Sequence, residues 1–101
     1  MFWYRPMYIA MNKFKVVDGK GDDFENAWRA RETYLEEVAG FLKFHLLRGD
    51  DGVFISHSTW ESQQAFLDWT ESEAFQKAHA QGSVKGLLQG PPEFSGFAVV
   101  I

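Results

Sequence analysis

The stretch FLKFHLLRGDDGVFISHSTW, Phe41 to Trp60, decides the fold. Two runs of strand-forming residues flank Gly49-Asp50-Asp51-Gly52. Gly and Asp tolerate the left-handed backbone that a tight hairpin needs, so this tetrad turns the chain back on itself. Leu42, Phe44 and Leu46 share one face of the first run, Phe41 to Arg48, and the second run extends from Val53 to Trp60. Together they predict an antiparallel hairpin.

Toward the N-terminus, Tyr8 to Val16 alternates as well. Tyr8, Ala10, Asn12, Phe14 and Val16 fall on one face, and Met7, Ile9, Met11, Lys13 and Lys15 on the other. The lysines mark the outward side, so the face that carries Asn12 is expected to point inward. Asp18-Gly19-Lys20-Gly21 ends this strand. Asp22 or Asp23 is expected to cap a helix in which Phe24, Ala27, Trp28, Arg31 and Leu35 recur at steps of three and four, running to about Glu37 and stopping before Gly40.

Toward the C-terminus, Ser62 reads as the cap of a short helix with Ala65, Phe66 and Trp69 on one face. Thr70-Glu71-Ser72-Glu73 has the form of a capping box and opens a further helix carrying Phe75, Ala78 and His79. A Gly/Pro-containing loop from Gly82 to Pro92 with apolar insertions (Val84, Leu87, Leu88) leads to a last strand, Phe94 to Ile101. The order is β-α-β-β-α-β with the second helical segment broken in two. It predicts an α+β, ferredoxin-like single domain over residues 1–101, an antiparallel sheet with helices on one face. A second copy of the chain is the economical cover for the other face.

Ten Phe, four Trp and three Tyr in 101 residues exceed what a core of this size comfortably holds. The surplus points to a dimer interface, an aromatic pocket or both. The net charge of −4, with Lys and Arg interspersed among the acids, argues against a nucleic-acid partner. The absence of cysteine removes disulfides, thiolate catalysis, Cys-ligated zinc and iron–sulfur clusters, and fits a reducing compartment. The opening MFWYRPMYIAMN has no basic region before its apolar run, is interrupted by Arg5-Pro6, and is too short to cross a bilayer. The expected location is the cytoplasm, away from membranes.

Three polar residues sit where periodicity asks for apolar ones. Asn12 is either a core amide bonded to a neighbouring backbone group or a donor presented to a ligand. Arg31 either snorkels to water or meets a carboxylate at the mouth of a pocket. His79 is either a helix C-terminal histidine favoured by the dipole or an axial ligand to a haem iron, for which one neutral imidazole suffices. His45 and His57 lack zinc-site spacing, and Ser56 and Ser58, which flank His57, do not form a triad with it because strand neighbours point apart.

The segments IAMNKFKV, GFLKFHLLRG, TWESQQAFLDWTESEAFQKAH and EFSGFAVVI resemble the antibiotic-biosynthesis-monooxygenase superfamily, and within it the IsdG-type haem-degrading monooxygenases. The resemblance runs from Tyr8 to Ile101 and is most specific in an Asn–Trp–His triad that matches Asn12, Trp69 and His79. It implies a dimeric α/β barrel built from two ferredoxin-like chains, with one haem per subunit as both cofactor and substrate. It implies that His79 binds the iron on the proximal side, that Trp69 presses the macrocycle out of plane, and that Asn12 offers a hydrogen bond on the distal side. Trp28, Arg31 and Phe24 of the first helix are then expected at the cofactor, with Arg31 facing a propionate. O₂ and an external electron donor complete the chemistry. No GxGxxG fingerprint is present, so the electrons are expected from a separate reductase. The alternatives are a cofactor-independent, quinol-type monooxygenase of the same superfamily and a non-catalytic haem carrier.

Overall fold

The structure, a computed structural model, describes residues 5–31, 33–81 and 86–101. Strand β1 spans Tyr8–Lys15, helix α1 Gly21–Ala30, β2 Phe41–Arg48, β3 Val53–Trp60, α2 Gln63–Thr70, α3 Glu73–Gln81 and β4 Glu93–Ala98, with a single 3₁₀ turn at Leu35–Glu37. The four strands form one antiparallel sheet in the order β2-β3-β1-β4. This is the α+β, ferredoxin-like arrangement expected from the order of elements.

The hairpin turns as its sequence requires. Asp51 and Gly52 take φ values of +56° and +76°, and the Val53 N–H donates to the Asp50 carbonyl at 3.2 Å. Two successive positive φ values are those of the turn that follows strand twist. One detail of β2 differs from the expectation. The register against β3 shifts between Phe41 and Lys43, so Leu42 is an extra residue in a bulge. Phe41, rather than Leu42, then joins Phe44 and Leu46 on the inner side, and Leu42 is left 44% exposed.

The first helix is shorter than its pattern. It starts at Gly21 with Lys20 as cap, and no side chain caps it; Asp22 and Asp23 lie inside the first turn, where their charge favours the dipole. It ends at Ala30, because Arg31 has an extended backbone (φ −80°, ψ 130°). Tyr34 follows in the left-handed region. Leu35 reaches the core after all, 5% exposed, but from the separate 3₁₀ turn. Thr33 and Tyr34 are weak helix formers, and breaking the helix there costs little.

Ser62 caps α2 by accepting from the Ala65 N–H at 3.1 Å, as expected. The capping of α3 is by Ser72 instead of Thr70. The Ser72 hydroxyl accepts from the Phe75 N–H at 3.2 Å and donates to the Trp69 carbonyl at 2.6 Å, while Thr70 bonds back to Leu67. Gly40 takes a φ of +84°, and a Cβ there would run into the Cβ of Ala65. Glycine at this point lets the chain entering β2 touch α2.

Within the 82–92 connection, residues 82–85, Val84 among them, lie outside the described residues. Leu88 forms an isolated bridge with Val16, and Leu87 and Leu88 pack on the core beneath it. The last strand is shorter than expected, ending at Ala98, although the Val99 N–H still bonds the Met7 carbonyl.

The core on the helical side of the sheet falls into two clusters. One gathers Tyr8, Ala10, Leu35, Trp60 and Phe66. The other gathers Phe14, Val16, Phe24 and Phe54. The sheet explains the gap. Across the strands, rows of paired residues read Tyr8–Trp60, then Ala10–Ser58, then Asn12–Ser56, then Phe14–Phe54. The polar row Asn12–Ser56 falls between the two clusters, and apolar packing parts there. The opposite face carries Ile9, Met11, Ile55, His57, His45, Leu47 and Phe97.

Candidate functional site

A cavity of about 430 Å³ opens where the two clusters part. This is within the usual range for small-molecule sites. Its floor is the sheet, with Asn12 and Ser56; Trp28 and Arg31 stand on one side, and Trp69, Phe75 and His79 on the other. The Asn–Trp–His triad expected from the sequence is thus gathered around one space. Asn12 is half-buried, and its amide makes no hydrogen bond among the described residues.

His79 projects from α3. Its Nδ1 lies 2.8 Å from the Phe75 carbonyl oxygen, and its ring lies on the Phe75 ring with centroids 3.9 Å apart and planes at 29°. A carbonyl accepts only, so Nδ1 carries the proton and donates. With a proton held on Nδ1, it is Nε2 that is placed to offer a lone pair to a metal. Phe75 in turn meets Trp69 edge-on at 4.8 Å, and Trp69 packs on Trp60 at 5.2 Å. The imidazole therefore sits at the end of a ladder of rings rooted in the core.

Three buried polar atoms around this space have no hydrogen-bond partner among the described residues: Nε1 of Trp28, Nε of Arg31 and Nε1 of Trp69. Native interiors rarely leave such groups unpaired, and each is a donor waiting for an acceptor. Arg31 is the most telling. Burial pushes its guanidinium below the usual arginine value. The guanidinium lies 4.7 Å from the centre of the Trp28 ring and meets no carboxylate among the described residues. A partly buried cation that meets no carboxylate among the described residues can take one from a bound ligand. An aromatic slot with an imidazole nitrogen and a marginal guanidinium that have no partner among the described residues fits a flat, iron-centred, carboxylate-bearing group such as haem.

One expected site residue lies elsewhere. Phe24 is fully buried behind Trp28, packed on Phe14 and Phe54, and does not reach the cavity. The helical spacing that put Phe24 with Trp28 holds, but the turn between them separates the inner ring from the lining one. Sequence reasoning missed Ser56, Phe44 and Phe94, which also line the space. Alternation along β3 places Ser56 on the inner face with Phe54 and Ser58; only the register against β1 sets it beside Asn12. His45 and His57 pair on the opposite face, ring centres 6.4 Å apart. Among the described residues no group of three or more His, Cys, Asp or Glu could hold a metal ion.

A four-stranded antiparallel sheet with helices on one face and an aromatic cavity between them defines a ferredoxin-like domain with a small-molecule site. Residues 7–81 match the antibiotic biosynthesis monooxygenase family, and the chain belongs to it. It is 35% identical over 75 residues to a "Heme oxygenase (mycobilin-producing)" of Mycobacterium tuberculosis, covering 71% of this chain and 70% of that one. It superposes with a TM-score of 0.77 on the heme-degrader MhuD of M. tuberculosis, solved with two hemes bound in its active site, at 30% identity over 93% of this chain and 96% of that one. It shares the fold, with a TM-score of 0.72 at 19% identity over 95% of each chain, with SnoaB, a cofactor-independent oxygenase from Streptomyces nogalater.

Proposed function

We propose that the chain is a haem-degrading monooxygenase that binds haem in this cavity and opens the porphyrin ring with O₂ and electrons from a separate reductase, releasing iron. The observation that carries the proposal is the His79 imidazole, whose Nδ1 is bonded to the Phe75 carbonyl and whose Nε2 has no partner among the described residues. The likeness to the mycobacterial heme oxygenase supports the same substrate.

His79 would hold the iron through Nε2. Trp69, packed against Trp60, Phe66 and Phe75, would press on the macrocycle. Asn12, on the floor, would offer its amide on the distal side. Arg31 would meet a propionate, restoring to the guanidinium the partner that burial denies it. Trp28, stacked on Phe44 at 5.5 Å, would line the remaining side and keep water out. Bound haem supplies the iron that activates O₂ and the ring that is oxidised, while the protein supplies orientation and a dry pocket. A second copy of the chain would cover the sheet face that carries Ile9, Ile55, Leu47 and Phe97, and the enzyme would act in the cytoplasm.

The test is a haemin titration of the protein beside His79→Ala, followed by ascorbate in air. A saturable Soret band that His79→Ala weakens, and that decays in the wild type with release of chelatable iron, is expected. Binding without decay under ascorbate or a reductase would make the chain a haem carrier. No saturable binding would move the chain to the cofactor-independent class.

A further inference from the structure

The floor of the cavity holds a polar side chain to which the haem-binding scheme gives no part. Ser56 of β3 lies directly opposite Asn12 of β1, on the same face. Opposed residues of an antiparallel pair have Cβ atoms about 4.5–5.5 Å apart, close enough for an Asn and a Ser side chain to bond. Ser58, two residues on, is equally buried, at 9% exposure, and is fully engaged: its hydroxyl accepts from Trp60 Nε1 at 2.9 Å and donates to the Ala10 carbonyl at 3.4 Å. The Ser56 hydroxyl has no such partner among the described residues, and neither has the Asn12 amide. Along their row they are bracketed by Leu46 and Phe94, neither of which can bond a side chain. Among the described residues, the amide and the hydroxyl are left with each other and with whatever enters the cavity.

We propose that Ser56 is a positioning residue for Asn12. Rotation about the two side chains, with the strand register unchanged, brings an Asn12 amide N–H onto the Ser56 Oγ. The second amide N–H and the hydroxyl hydrogen then point together into the cavity, as a pair of donors for a small acceptor held above the floor. An amide fixed at one end presents its other hydrogen in one direction, which a freely turning Asn does not. The identity of the ligand rests on the haem reading above; the Asn12–Ser56 pair does not.

Two measurements on the whole chain test this. In the ligand-free protein, the side-chain amide resonances of Asn12 are followed by ¹⁵N spectroscopy in wild type, Ser56→Ala, Ser56→Thr and Ser58→Ala. Ser56→Ala is expected to shift the Asn12 amide pair and speed its hydrogen exchange. Ser56→Thr, which keeps a hydroxyl, and Ser58→Ala, which removes a purely structural one, are expected to leave it near the wild-type position. In the haemin-loaded protein, cyanide is the probe of the distal side. Ser56→Ala should weaken its affinity about three- to tenfold, the worth of one hydrogen bond, and Ser56→Thr should restore it. An Asn12 amide indifferent to Ser56→Ala, or one moved equally by Ser58→Ala, would overturn the inference. If wild type fails to bind haemin, the haem reading falls and the ligand-free amide spectra alone decide the role of Ser56.

Discussion

The imidazole of His79 lies flat on the ring of Phe75, and its Nδ1 is bonded to the carbonyl of that same residue. One residue thus fixes the histidine twice, by its side chain and by its backbone, one helical turn away. The backbone bond sets the tautomer and the ring stack sets the tilt.

Replacing Phe75 by Leu keeps the carbonyl and removes the stacked ring. The tautomer should persist while the orientation loosens. Haemin affinity is expected to fall about tenfold, the usual scale for losing a group that orients a metal ligand. A haemin titration checks this, and an unchanged dissociation constant would show that the stack does not orient His79.

Burial lowers the Arg31 pKa, and among the described residues no carboxylate offsets it. Its folded-state pKa is lowered, so the charged form costs stability at every pH below that value, neutral pH included. Replacing Arg31 by Met should therefore leave the ligand-free protein as stable as wild type, or more stable by up to about 1 kcal/mol, while haemin binding weakens. Urea denaturation and haemin titration read the two effects separately. A variant that loses stability and keeps its affinity would contradict the assignment of Arg31 to a ligand carboxylate.

Ser72 joins α2 to α3, accepting from the Phe75 N–H and donating to the Trp69 carbonyl. Ser72→Ala should lower stability by about 1 kcal/mol, as for a lost helix cap. Because both bonded residues belong to the ring ladder, haemin affinity should fall too. Thermal melts and titration together decide it; a loss of stability with unaltered affinity would confine Ser72 to capping.

Gly96 packs its α-carbon against the phenol of Tyr8, and a Cβ at this position would strike the Tyr8 hydroxyl. Gly96→Ala is expected to cost about 1–3 kcal/mol by overpacking. Tyr8→Phe in the same chain should recover part of that loss by removing the atom struck. Equilibrium unfolding of the two single variants and the double variant measures the coupling, and strict additivity would place the strain elsewhere.

The hairpin, the order of elements and the capping by Ser62 were legible because turn chemistry and alternation act locally. The end of the first helix was not. Leu35 continues the apolar period, and nothing in a spacing argument distinguishes a helix that reaches Leu35 from one that breaks at Arg31 and returns through a 3₁₀ turn. Leu42 was misplaced for a similar reason, since a bulge leaves the sequence looking regular while it turns one residue over. At the site, Asn12, Arg31 and His79 stood out against their periodicity, and Asn12, Trp69 and His79 matched a family pattern. Phe24 shared that periodicity with Trp28, yet ended one layer deeper. Ser56 left no mark, because a serine on a strand is unremarkable until pairing sets it across from Asn12.

The division of the core by the Asn12–Ser56 row has a thermodynamic consequence. A chain of this size has little apolar surface to spare, and here the middle of its interior is given to a space that side chains do not fill. Whatever flat molecule occupies that space becomes the missing piece of the core, joining the two clusters across the gap. Ligand occupancy and folding are then one equilibrium: the melting temperature should climb with the logarithm of free ligand, and the unloaded chain should be the form that opens, exchanges its amides and is cleared first.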